Sequence, residues 1–174
     1  MPQPGWLDPG KLIDAAEHLA GPNTGPGRPR HAFLRRAVST SYYALFHALC
    51  VESARALLAD CSDTERLAIA RAVGHQPLKD CCGWIAGRQG GTPREARAIV
   101  DTLKQSQFVG ISDTFCDLQE ARHRADYDHT ARFSKATTLA HIAEARRAIA
   151  DLEVAGARDR QGFATLAAFR SRLQ

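Results

Sequence analysis

The feature that most constrains this chain is the stretch from Arg30 to Ala59, which contains no glycine and no proline. Its apolar residues recur at intervals of three, four or seven, as residues on one face of an α-helix do. They are Leu34, Val38, Tyr42, Leu45, Leu49 and Ala56. Further alanines, valine and phenylalanine widen this stripe. The pattern therefore predicts one long helix over about 30–59, at the centre of a helical bundle.

The rest of the chain predicts more helices, separated by breaks that contain glycine or proline. We expect them over about 9–20, 64–87, 93–106, 112–127, 134–155 and 161–173. Gly74 and Pro77 are expected to kink or divide the helix over 64–87. No alternating run of β-branched residues predicts a strand. The predicted fold class is all-α, an antiparallel bundle of about five main helices with short extra ones.

The length of 174 residues fits a single domain, which we expect to span 1–174 with its core at about 30–155. Residues 21–29 contain three glycines and three prolines. This composition predicts a flexible loop. The helix over 161–173 is interpreted as an accessory C-terminal element.

The composition excludes a disordered chain, because 44% of the residues are hydrophobic and 24% are charged. No run approaches the roughly 18 apolar residues that a membrane span needs. The sequence does not begin with a basic segment followed by an apolar run, as a secretory signal would. Its five cysteines form no CxxC pair. We predict a cytoplasmic protein with reduced thiols, no membrane contact, no metal and no other cofactor.

The basic residues leave two interpretations open. The formal net charge of +4 is by itself weak evidence for a nucleic-acid partner. Arg28, Arg30, Arg35 and Arg36 can form an electrostatic surface for RNA. An ordinary solvated face explains them equally well.

The densest polar cluster lies in residues 120–129. On a helix, Arg122 and His129 differ by about 20° around the axis and lie roughly 10 Å apart along it, so they share a face. Arginine can bind a phosphate through two parallel hydrogen bonds, and histidine transfers protons near neutral pH. Such a pair can promote cleavage of RNA, whose own 2′-hydroxyl is the nucleophile.

The same cluster has a purely structural interpretation. Arg122–Asp126 and Arg124–Asp128 have the i,i+4 spacing of ion pairs on a solvated helix end. Periodicity alone favours this second interpretation.

A family resemblance bears on this choice. The segment 36–48 reads RAVSTSYYALFHA, which resembles the R-A-x-S-x-x-Y-Y-A-x-F-H-A opening of HEPN-domain proteins. The segment 122–127 reads RHRADY and resembles the R-x-x-A-D-Y element of one HEPN branch. The stretch 71–75 is similar to a mid-chain element of that branch. The double-tyrosine and A-D-Y elements in this order are fairly specific as a pair.

The resemblance implies a homodimer of helical bundles. In the ribonuclease members an R-x4–6-H motif lies at the dimer cleft, which makes Arg122 and His129 the expected catalytic pair. The expected supporting residues are His123, Arg124, Asp126 and Tyr127. The implied function is that of an RNA-acting protein, a metal-independent endoribonuclease toxin of a toxin–antitoxin pair. The alternative is a non-catalytic module that binds a nucleotide or another protein and partners a nucleotidyltransferase.

Other polar and aromatic residues are interpreted as structural. His47 is expected to be a core or interface histidine that is hydrogen-bonded to a neighbour. Tyr42 and Tyr43 are expected to pack, with a hydroxyl reaching a buried polar group. His75 and Cys81 lie six residues apart across a proline, which is poor spacing for a metal site.

Overall fold

The computed structural model describes residues 7–21 and 31–170, and within these ranges it contains eight α-helices, one short 3-10 helix and no strand. The helices are α1 (Pro9–Ala20), α2 (His31–Leu57), α3 (Asp63–Ala72), α4 (His75–Ile85), α5 (Arg97–Leu103), α6 (Phe108–Tyr127), α7 (Lys135–Val154) and α8 (Ala157–Phe169). The 3-10 helix, Arg94–Ala96, precedes α5. The all-α prediction is confirmed. The predicted loop over 21–29 lies, from residue 22 onward, outside the described residues.

The long helix α2 is the central element, as its stripe predicts. Helices α1, α3, α6, α7 and α8 all pack against it. Val38, Leu45 and Leu49 are completely buried along its length. Because apolar residues occupy more than one side of α2, the helix can bury several neighbours at once.

The core extends to both terminal helices, beyond the predicted 30–155. Ile13 on α1 belongs to the main buried cluster, and so do Phe163 and Leu166 on α8. The Phe163 ring stacks on Phe108 with a centroid distance of 4.9 Å. Helix α8 therefore contributes to the core, and it begins at Ala157 instead of 161.

Local capping explains where several helices begin. Ser134 caps α7 by accepting a hydrogen bond from the Thr137 amide, at the predicted position. Helix α6 begins at Phe108, before the predicted 112. The Ser106 hydroxyl accepts a hydrogen bond from the Phe108 amide, and the Phe108 ring is fully buried. Burial of this ring therefore anchors an extra turn that the sequence pattern did not indicate.

The predicted third helix is divided in two. Helix α3 ends at Ala72, Gly74 caps α4, and Pro77 lies in the first turn of α4. A proline is tolerated there because the amides of a first turn have no partner inside the helix.

A second, smaller buried cluster joins the N-terminal end of α2 to the C-terminal end of α6. Its members are Leu34, Val38, Ala121, Ala125, Ala131 and Phe133. This cluster fixes the end of α6 that carries the polar residues singled out above. None of the helices in the described ranges is both long enough and apolar enough to cross a lipid bilayer.

Candidate functional site

Two side-chain contacts align α6 antiparallel to α2. Arg122 donates from Nη2 to the Tyr43 hydroxyl at 2.9 Å. Ser39 donates from its hydroxyl to Asp126 Oδ1 at 2.5 Å. From the first contact to the second, the residue number increases by four on α6 and decreases by four on α2. The two helices therefore run in opposite directions. The double-tyrosine segment and the R-x-x-A-D-Y segment are therefore in direct contact.

The Arg122 guanidinium is held on several sides. Asp126 Oδ2 lies 2.8 Å from Nε, which makes an ion pair, although Nε is buried and forms no geometrically acceptable hydrogen bond with the described residues. The Cζ atom lies 5.9, 5.6 and 5.4 Å from the ring centroids of Tyr42, Tyr43 and Tyr127. Cation–π attraction at these distances restricts its motion. Arg122 is therefore a rigid, oriented cation.

The charge of Arg122 is stabilised by this environment. Burial alone lowers its pKa, but the hydrogen bond to Tyr43 and the nearby Asp126 raise the pKa above the ordinary arginine value. The Nη1 atom has no hydrogen-bond partner within the described part of the chain. This nitrogen is the one available to an external anion.

His129 lies just past the end of α6 in an exposed turn. Asp128 shapes this turn, because its Oδ1 accepts hydrogen bonds from the amides of Thr130 at 2.8 Å and Ala131 at 3.2 Å. His129 makes no hydrogen bond, ion pair or ring contact with Arg122 or any other described residue. The chain therefore holds Arg122 by several contacts and exposes His129 to solvent.

Of the two predicted ion pairs, only Arg122–Asp126 forms among the described residues. Asp128 is engaged in the turn, and Arg124 places its Cζ 5.9 Å from the Phe133 ring centroid. The structural interpretation of this cluster is thus correct for one pair and wrong for the other.

An open groove of about 530 Å³ lies beside Arg122, between α4 and α6. Its polar lining residues are Lys79, Arg88, Gln89, Gln119, Glu120, Arg122, His123 and Arg124. Arg88 is paired with Asp113 at 2.7 Å and also with Asp117. Within the described ranges, Lys79 and Arg124 take part in no salt bridge. These two side chains add positive charge to the groove, and Glu120 adds one negative charge.

The predicted supporting residues lie around the same end of α6. His123 and Tyr127 are both exposed, and their rings are 5.1 Å apart at the centroids. Asp126 holds Arg122 from one side. Of the four basic residues considered for RNA, Arg28 and Arg30 fall outside the described residues, and Arg35 donates from Nε to the Ala125 carbonyl at 2.7 Å.

His75 joins the tyrosine pair from α4. Its Nδ1 lies 2.9 Å from the Tyr42 hydroxyl, and its ring stacks on Phe46 at 3.8 Å. His47 packs edge-on against Phe46 at 5.2 Å and, contrary to expectation, has no hydrogen-bond partner among the described residues. Helical periodicity did not predict this histidine cluster. The available signal was the i,i+4 spacing of Tyr43 and His47, which places both on one side of α2.

Burial is the main cause that lowers the pKa of both His47 and His75. A secondary cause for His47 is the nearby His75, and for His75 it is Arg122. Both imidazoles are therefore neutral at neutral pH.

These shifts predict how stability changes with pH. In the unfolded chain each histidine has its ordinary pKa of 6.5. As the pH falls through that value, the unfolded state takes up protons that the folded state resists, so stability declines. The free energy of unfolding should decrease between about pH 7.5 and about pH 5.5, above most carboxyl pKa values. His75→Phe, which keeps the stack on Phe46, should flatten this decrease in urea unfolding. An unchanged slope would contradict the assignment.

The cysteines are all free thiols, and four of them are buried. Burial raises the pKa of Cys50 and Cys81 to about 12, which keeps both thiols protonated. The described residues contain no group of three or more histidine, cysteine or acidic side chains that could hold a metal ion.

Comparison with protein-family models, with curated proteins and with solved structures finds no match for this chain. Its function is therefore inferred from the chemistry of its own residues. Two of these residues have the chemistry to act on a ligand. They are the oriented Arg122 cation and the exposed His129 just past the end of the same helix.

Proposed function

We propose that the protein is a HEPN-like protein that acts on RNA, as a metal-independent endoribonuclease and the toxin of a toxin–antitoxin pair. The observation that supports this proposal is the arginine held at the contact between the double-tyrosine and R-x-x-A-D-Y segments. Arg122 keeps Nη1 without a hydrogen-bond partner among the described residues, beside an open groove that could admit a phosphate.

In this mechanism Arg122 binds a phosphate oxygen and stabilises the charge that develops on it during attack. The 2′-oxygen of the substrate attacks the phosphorus, and the bond from phosphorus to the 5′-oxygen breaks. His129 accepts the 2′-hydroxyl proton while water protonates the leaving 5′-oxygen, or protonated His129 donates a proton to the 5′-oxygen while water takes up the 2′-hydroxyl proton. The products are a 2′,3′-cyclic phosphate and a 5′-hydroxyl.

Neighbouring residues support these roles. Asp126 and Tyr43 orient the Arg122 guanidinium. Arg124 adds positive charge, and the exposed ring pair of His123 and Tyr127 offers a surface on which a base can stack.

The proposal includes a two-fold homodimer in which two copies of the Arg122–His129 region meet. Phe33 and Tyr127, which are 49% and 59% exposed, lie at the adjoining ends of α2 and α6 and supply apolar surface for such a contact.

We therefore expect light scattering to give twice the 19.0 kDa chain mass at micromolar concentration. Phe33→Asp should shift the protein to monomer, because a charge in an apolar interface is costly to desolvate. The matched control is Val109→Asp, at the opposite end of α6, which is 41% exposed and should leave the mass unchanged. A monomeric wild-type mass would contradict the dimer.

The decisive experiment is an RNA cleavage assay with purified protein in EDTA. The expected result is cleavage that leaves cyclic phosphate and 5′-hydroxyl ends. A substrate with a single 2′-deoxy residue at the cut site should be inert, because it lacks the nucleophile. Cleavage that requires Mg²⁺ or leaves 5′-phosphates would overturn the proposed mechanism.

The second candidate is a non-catalytic module that binds a nucleotide or partners a nucleotidyltransferase. The observation in its favour is that, within one protomer, Arg122 is engaged by Tyr43 and Asp126 and does not contact His129. Nucleotide binding that is lost in Arg122→Ala, without RNA cleavage by the wild type, would favour this candidate.

A further inference from the structure

A second cavity, of about 390 Å³, lies between α2, α3 and the start of α4, and Leu7, which precedes α1, also lines it. It shares none of its described lining residues with the groove beside Arg122. We name it the imidazole pocket after His47 and His75, which line it together with Phe46, Leu67, Arg71 and Val73. Its size lies within the range of small-molecule binding sites.

The apolar part of the pocket suits a planar ring. Phe46 and His75 form a stacked pair, and the His75 ring is exposed beyond that stack. Val73 and Leu67 supply aliphatic walls. A planar apolar group entering the pocket therefore meets aromatic and aliphatic surface, with which it can stack or pack.

The charged part of the pocket suits an anion. Arg71 is exposed and forms neither an ion pair nor a hydrogen bond with the described residues. No Asp or Glu is found among the described lining residues. Gly74, the N-cap of α4, also lines the pocket and provides no side-chain cap, so the positive end of that helix adds to the attraction.

The two imidazoles have nitrogen atoms available to a ligand. His47 makes no hydrogen bond with the described residues, so both of its nitrogens are available. The Tyr42 hydroxyl, whose pKa is raised by burial, keeps its proton and can donate it to His75 Nδ1. The imidazole proton then sits on Nε2, which can donate to an anion.

We propose that the imidazole pocket binds a small organic anion with a planar ring, in which the ring packs against Phe46 and His75 and Arg71 pairs with the anionic group. Its lining residues differ from those of the groove beside Arg122, although the charge of Arg122 acts on His75. Its occupancy can be measured without any RNA substrate.

Binding should be coupled to proton uptake. Around the two imidazoles, the titratable or charged groups are Tyr42, Tyr43 and Cys50 on α2, Arg71 on α3 and Arg122 on α6. None of them is an acid that is ionised at neutral pH. A bound anion favours the protonated imidazoles, so affinity should increase as the pH falls from about 8 to about 6.

The test uses benzenesulfonate, whose charge is constant over this pH range, with NMR observation of the His47 and His75 ring signals. We expect saturable shifts of both rings. Methanesulfonate, which has the anion without the ring, and benzyl alcohol, which has the ring without the anion, should each bind at least about tenfold more weakly. Arg71→Ala should weaken benzenesulfonate binding by about tenfold or more.

The matched control is Arg97→Ala, an exposed arginine on α5 that does not line the pocket and should not alter the affinity. Two results would overturn the proposal: no saturable shift, or equal affinity in Arg71→Ala. A failure of RNA cleavage in the wild type would not affect any of these measurements.

Discussion

His129→Ala should lower the rate of RNA cleavage by about 10²–10⁴-fold, the usual contribution of one acid–base group. The imidazole lies in an exposed turn and makes no hydrogen bond, ion pair or ring contact with the described residues. Its removal should therefore change the rate without changing the fold. The measurement is single-turnover cleavage of a short RNA in EDTA, together with the melting temperature of the variant.

Arg122→Lys should also abolish cleavage, although it keeps the positive charge. Arg122 donates to Tyr43 through one nitrogen. In the proposed mechanism a second nitrogen binds the phosphate, and a lysine ammonium cannot reproduce this planar fork. The side chain is one-quarter exposed, so a lysine stem fits the same space. The variant should remain folded and lose activity.

The matched control is His18→Ala, which removes an exposed histidine from α1 that belongs to no cavity described above. Its cleavage rate should equal that of the wild type. Cleavage that survives both His129→Ala and Arg122→Lys would rule out the proposed mechanism.

Local patterns were sufficient to predict most helices. The apolar stripe of α2 and the serine cap of α7 depend on residues within a few positions of one another, so the sequence displays them directly. The first residue of α6 could not be predicted from such local patterns. It depends on burial of Phe108 against Phe163, which is 55 positions away in the sequence.

The contacts of the candidate site also divide into local ones, which the sequence predicts, and contacts between helices, which it does not. The Arg122–Asp126 pair follows from i,i+4 spacing and was predictable. The contacts from Arg122 to Tyr43 and from His75 to Tyr42 join different helices, separated by 79 and 33 positions. Helical periodicity contains no information on which faces of two helices meet. The imidazole pocket could therefore be recognised only from the structure, in which α2, α3 and α4 lie together.

Leu45→Ala should destabilise the protein by roughly 2–5 kcal/mol. Leu45 is fully buried at the middle of α2, in the main cluster that unites the helices. Truncation removes apolar contacts and leaves a cavity that surrounding helices can only partly fill. Because α2 contacts five other helices, the surrounding side chains have little freedom to move into the cavity left by Leu45→Ala. Urea unfolding at a fixed protein concentration measures the effect, since dimerisation would make the stability depend on concentration.

The control for this prediction is Val154→Ala at the end of α7. Val154 is 71% exposed, so its truncation removes little buried surface and should change the unfolding free energy by only a few tenths of a kcal/mol. The difference between the two variants isolates burial from the intrinsic helix preference, because alanine is the best helix former and favours both substitutions. If Leu45→Ala unfolded at the same urea concentration as Val154→Ala, α2 could not be the buried centre of the bundle.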